Sequence, residues 1–137
     1  MTRSRSSGEN ESKVFTLNEA NEMISEIAKF TSDVVVLLDS IRSRYRPEEE
    51  SGEVAVPEPV MRGLEGALKT WSERVIETGA QPKGYFTVDF ATSDPELLYC
   101  WTYGEQEIGY VHKVWENFTH RRPLADAGEP LHLRWVN

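Results

Sequence analysis

The sequence predicts an α+β fold: a long antiparallel helix pair packed with a small antiparallel β-sheet and a short C-terminal helix. Three observations lead there. The first half carries two stretches of helical periodicity separated by a Pro- and Glu-rich break. The second half opens with aromatic and β-branched runs, GYFTVDF and LLYCWTY, on either side of the turn-like ATSDPE. Beyond Gly104 the apolar residues return to a spacing of three and four.

The chain of 137 residues is enough for one domain with one modest core. Residues 1–13 are mostly Ser, Arg, Glu, Gly and Asn with no apolar run to bury, and read as a disordered tail ahead of a single domain over 14–137. The first helix starts at FTLNEA, where Thr16 and Glu19 have the spacing of a capping box. Ala20, Ile24, Ile27, Thr31, Val34, Leu38 and Ile41 then follow in alternating steps of four and three. The pattern lasts to about Arg44, ahead of Pro47, and gives a helix of about 40 Å, which needs a partner along it. The stretch RPEEESGEVAVPEP reads as an exposed loop. A second helix is expected from near Pro59, with Val60, Leu64, Ala67, Leu68, Trp71 and Val75 inward and Gly79 as the stop. The hairpin comes next, then a helix from about Glu107 to Thr119. LHLRWV at the end alternates as a further strand would.

Charge and composition exclude some classes. A net charge of −8 argues against general nucleic-acid binding, which requires clustered cations. The longest apolar run, Val34 to Leu38, is far short of a membrane span, and the N-terminal residues contain no apolar stretch of a secretory signal. A lone cysteine, Cys100, forms no intrachain disulfide and suits a reducing cytoplasm, the expected location.

Candidate chemistry gathers in YCWTYGEQEIGYVHKVWENFTHRRPL, Tyr99 to Leu124. With Glu105 at the start of the last helix, His112 lies two turns along the same face. Glu105, Glu107 and His112 are then candidate ligands for a divalent metal, or share a proton. The alternative is that Glu105 caps the helix and His112 is a hydrogen-bonded core residue. Asp89, inside the apolar TVDFA, must face solvent, pair with a cation or serve a site, and Arg121 or Arg122 is the expected partner. Asp89, Arg121 and Arg122 are the candidate ligand-binding residues, the arginines as bidentate anion binders. Cys100 reads as a buried, inert thiol; as a nucleophile it would need a base such as His112. No phosphate loop, nucleophile elbow or dinucleotide fingerprint occurs in the sequence.

FTLNEAN, VDF and the tract from Cys100 to Leu124 together resemble domain-of-unknown-function family 2203, uncharacterised bacterial proteins with the pattern F-T-x-x-E-A-N, then G-L-V-D-F, then L-C-W-x-x-G-E-x-E-x-x-x-W-H, then G-F-x-x-R-x-P-L. The resemblance covers Phe15 to Leu124. The chain departs from it at Val111, where the family has tryptophan, at Asn117, where it has glycine, and at Phe86–Thr87, where it has G-L. The resemblance singles out Asp89, Glu105, Glu107, His112 and Arg121 or Arg122, and implies no reaction. Three classes follow: a domain binding a metal or small anion, a structural or interaction module that self-associates through the helix pair, and an enzyme using Glu105 or Glu107 with His112.

Overall fold

A computed structural model describes residues 13–45 and 56–124. The readings made for the tail, for most of the acidic loop and for LHLRWV lie outside these residues.

Helix α1 is Leu17–Arg44. Thr16 and Glu19 form the expected capping box: the Thr16 hydroxyl accepts from the Glu19 N–H at 3.0 Å, and the Glu19 carboxylate accepts from the Thr16 N–H at 2.9 Å. Helix α2 is Glu58–Glu77, entered through Pro57 and Pro59, residues that cost little in a first turn. It doubles back along α1. Met61 and Leu64 share a cleft with Leu38, Ile41 and Tyr45, whereas further along Arg74 stacks on Phe30 at 4.4 Å. Between these points Trp71 Nε1 donates to Thr31 Oγ1 at 2.7 Å, and Thr31 in turn donates to the Ile27 carbonyl. The threonine in the apolar seam thus satisfies a buried indole.

Gly79 ends the helical half as expected, with φ +97°. A side chain there would be strained and would also meet Lys13, since a Cβ would stand 2.7 Å from that of the lysine.

Five antiparallel strands follow as a meander in sequence order: β1 Gln81–Lys83, β2 Thr87–Ala91, β3 Leu97–Thr102, β4 Tyr110–Lys113 and β5 Arg122–Pro123. The β2–β3 hairpin is the one expected from GYFTVDF and LLYCWTY. Residues 107–119, in contrast, do not form a helix. They supply β4, and the only helical turn there is a single 3-10 turn, Phe118–His120. The three-and-four spacing of Ile108, Val111 and Phe118 misled because Tyr110, Val111, His112 and Lys113 pair with β3, and the Ile108 N–H is bound by the Asn21 side chain of α1. Tertiary pairing overrode a weak local pattern.

Side chains alternate across the sheet. Val88, Phe90, Tyr99 and Trp101 face the helices and join Phe15, Ala20, Ile24, Ile27, Phe30, Trp71 and Val75 in the core. The opposite face carries Thr87, Asp89, Cys100, Thr102, Tyr110 and His112, by the register Thr87↔Thr102, Asp89↔Cys100, Cys100↔Tyr110 and Leu98↔His112. It is buried too: Asp89, Cys100 and His112 are each no more than 2% exposed.

Candidate functional site

The second sheet face brings together three ligand-type side chains from three adjacent strands. Asp89 and Cys100 are directly opposite across β2 and β3, and His112 of β4 is diagonal to Cys100. The nitrogen, oxygen and sulfur atoms that they offer all lie within 4.8 Å of one another. Residues 116–119 and the β1–β2 turn fold over this face. They leave a cleft of about 400 Å³ lined by Lys83, Tyr85, Thr87, Asp89, His112 and the 116–119 segment.

The histidine's protonation follows from its contacts. Nδ1 lies 2.7 Å from the Lys113 carbonyl oxygen, which only accepts, so Nδ1 carries a proton and donates. Nε2 faces both carboxylate oxygens of Asp89, each at 3.2 Å. A neutral ring would set a lone pair against a carboxylate. The contact therefore calls for a proton or a cation between nitrogen and carboxylate. The distance is long for a charge-assisted N–H···O⁻ bond, which prefers about 2.7–2.9 Å. Two ligand atoms of a tetrahedral zinc-like ion stand about 3.3 Å apart. Nδ1–H to a backbone carbonyl is also the outer contact by which proteins orient a histidine that ligates through Nε2.

Cys100 completes the set. Burial first, and the neighbouring Asp89 charge second, push its thiol up to about 12. With no ion bound it is a protonated thiol at neutral pH, not a nucleophile. His112, with both ring nitrogens engaged, is no free base for it.

The other candidate residues surround this centre. Glu105 is in the loop after β3. Its carboxylate accepts from the Thr102 N–H at 2.9 Å and pairs with Arg121 through both oxygens, while its own carbonyl accepts from Trp101 Nε1 at 2.7 Å. Arg121 is bracketed by Tyr110 and Phe118, its guanidinium 3.9 and 4.5 Å from their ring centroids, and its Nη1 stands 3.9 Å from Cys100 Sγ. Burial would lower its pKa, but the hydrogen bond and charge of Glu105 outweigh this and raise it. Arg122 pairs with Glu116 at 3.0 Å. Glu116 is held below the usual carboxylate range, first by the Lys113 N–H and then by Arg122. The expected partnership of Asp89 with Arg121 or Arg122 is therefore corrected: its partner is His112, and both arginines are taken. Glu107 is exposed in the loop before β4 and does not share a helix face with Glu105 and His112. The structure brings His112 to Asp89, not to the two glutamates.

Cys100 as a companion of Asp89 and His112 was missed from sequence. The usable signal was period-two alternation, which puts Asp89 on the opposite sheet face from Val88 and Phe90 and Cys100 on the opposite face from Trp101.

The β1–β2 turn closes one side of the cleft in an uncommon conformation. Tyr85 and Phe86 are consecutive non-glycine residues with φ of 60° and 55°, the pattern of a type I′ turn, closed by the Thr87 N–H on the Gly84 carbonyl at 3.2 Å. Each costs about 1–3 kcal/mol. Phe86 offsets its share by packing edge-on to Trp71 at 5.5 Å. Tyr85 remains 86% exposed at the cleft's rim.

The profile of the uncharacterised conserved proteins designated DUF2203 matches residues 13–124. The chain belongs to this family. No curated protein and no solved structure matches it. The site therefore has to be read from its own geometry. The family match spans every strand that builds it, including Asp89, Cys100, His112 and Arg121.

Proposed function

We propose that this family member is a small metal-binding domain in which Asp89, Cys100 and His112 hold one zinc-like divalent ion. The supporting observation is the contact pattern of His112: Nδ1 is committed to a backbone carbonyl, which leaves Nε2 as the ring's ligand atom, facing the Asp89 carboxylate and with the Cys100 sulfur within 4.8 Å. A three-ligand nitrogen, oxygen and sulfur set with a side open to a cleft has the composition of an ion that keeps one position for a further ligand. Ion binding would deprotonate Cys100. The ion's two positive charges would then be matched by Asp89 and the thiolate, with Arg121 already balanced by Glu105. In this reading Glu105 and Arg121 brace the site, and Glu107 stands outside it. A thermal melt tests it: zinc raises Tm in the parent but not in Asp89→Asn or Cys100→Ser, because only an ion that binds the folded state stabilises it. Equal rises in all three proteins, or none in the parent, would sink the reading.

A second reading, self-association through the helix pair, is favoured by the apolar cleft at its end and by Val36, which is 63% exposed on α1. Light scattering that returns the mass of a single chain at high concentration would remove it.

A further inference from the structure

We infer that the cleft over the proposed ion receives a small organic carboxylate with a planar body, its charged end between the ion and Lys83 and its body against Tyr85 and Phe118. The inference rests on the metal reading above and names the ligand class of that same site.

The charges lining the cleft are few. Asp89 is committed to the proposed ion beside His112, and Glu116 is taken by Arg122 and the Lys113 N–H. Asn117 and Thr119 bond to each other, and the Thr87 hydroxyl bonds that of Thr102. Lys83 is the exception: it is exposed on the cleft wall, and among the described residues no carboxylate pairs with it. An ion neutralised by its own ligands plus one unpaired ammonium leaves the cleft positive in a chain of net charge −8. That selects an anion. A single ammonium with an ion suits a carboxylate better than a phosphate, whose three oxygens are usually met by arginine forks or several backbone N–H groups. Both nearby arginines are already paired.

The ligand's body follows from the walls. Tyr85 is held at the rim by a turn that non-glycine residues rarely adopt, and it is largely exposed there. Phe118, whose ring also carries the Arg121 guanidinium, lines the cleft from the 116–119 segment. Two aromatic walls and about 400 Å³ fit a small ring-bearing acid.

The test uses the full chain loaded with cobalt(II), after the cobalt content has been measured. Benzoate, acetate and inorganic phosphate are titrated while the cobalt d–d absorption is followed. Benzoate is expected to saturate a spectral change. Lys83→Met should take up the same cobalt but bind benzoate about tenfold more weakly. Tyr85→Gly, which suits the positive φ, should weaken benzoate about fivefold and leave acetate unchanged. A cobalt-loaded protein that ignores benzoate, or a Lys83→Met variant that binds it as the parent does, overturns the inference and leaves the metal reading standing. Phosphate that binds more tightly than benzoate overturns the carboxylate class. Failure to take up cobalt at all overturns the metal reading, and this inference with it.

Discussion

His112 Nε2 stands 3.2 Å from both carboxylate oxygens of Asp89, while its Nδ1 donates to the Lys113 carbonyl at 2.7 Å. This arrangement ties β2 to β4 across β3 at one chemical centre. Asp89→Asn keeps the shape and removes the charge. It is expected to abolish ion binding while the far-UV circular dichroism spectrum stays that of the parent. An unfolded Asp89→Asn protein would assign the pair to the fold instead. The His112→Gln variant then separates the two cases, because Gln can still donate to Asp89 but replaces the imidazole ligand.

Cys100 makes the metal-free protein sensitive to alkali. Its thiol is held near 12 in the fold, against 9.0 for an unperturbed cysteine, so the unfolded chain gives up its proton first as pH rises. The stabilisation is complete below pH 9 and is lost progressively between 9 and about 12. Chemical denaturation of chelator-treated protein across that range should show stability falling with pH, with a shallower fall in Cys100→Ala. Parallel slopes would count against a buried protonated thiol. At pH 8 the same protein should react slowly with a thiol reagent until denaturant is added.

A buried hydrogen bond joins the two helices. Thr31→Val has nearly the same volume but leaves Trp71 Nε1–H without its acceptor. A loss of about 1–3 kcal/mol is expected in urea melts. The double variant Thr31→Val with Trp71→Phe, which removes both partners, should recover part of the Thr31→Val deficit beyond additivity. Strict additivity would show that the bond contributes little.

Gly79→Ala places a Cβ in a left-handed residue and against Lys13. A destabilisation of more than about 1 kcal/mol is expected. Gly66→Ala in the middle of α2 meets nothing within 4 Å and should stabilise by up to about 1 kcal/mol. The two substitutions are chemically identical, so opposite signs would trace the difference to the site, to the left-handed backbone and the Lys13 contact at Gly79. The same sign at both sites would contradict this account.

Glu105→Gln leaves Arg121 without its counter-ion, beside Cys100 and within the proposed coordination sphere's reach. An unbalanced cation there should weaken cobalt or zinc binding by about tenfold with little change in the fold. Unchanged affinity would show that Arg121 is too far or too well solvated to matter.

Much of the fold was legible because its signals are local. Thr16 and Glu19 mark the α1 start, the four-three seam marks its buried face, and Gly79 marks the boundary between halves. The β2–β3 hairpin was legible from its aromatic and β-branched strands. Strand β4 was not. Tyr110–Lys113 is only four residues long, too short for alternation to outweigh the helical spacing on either side of it. That error moved the site. On a helix, His112 falls in line with Glu105. On a strand, it falls beside Asp89, which lies 23 residues earlier in the chain. Asp89 drew notice as an acid in an apolar run, but its partner depends on sheet order, which no local pattern encodes. Cys100 was legible as buried, and its chemistry became visible only once Asp89 and His112 stood next to it.

The most direct test of the central claim is metal content. The untagged protein is purified without chelator and its metals are measured by mass spectrometry, beside Asp89→Asn, His112→Gln and Glu107→Gln. About one equivalent of a divalent metal in the parent and in Glu107→Gln, with little or none in the other two, is the result this account expects. No metal in the parent, or a metal that survives Asp89→Asn and His112→Gln but is lost in Glu107→Gln, would contradict it.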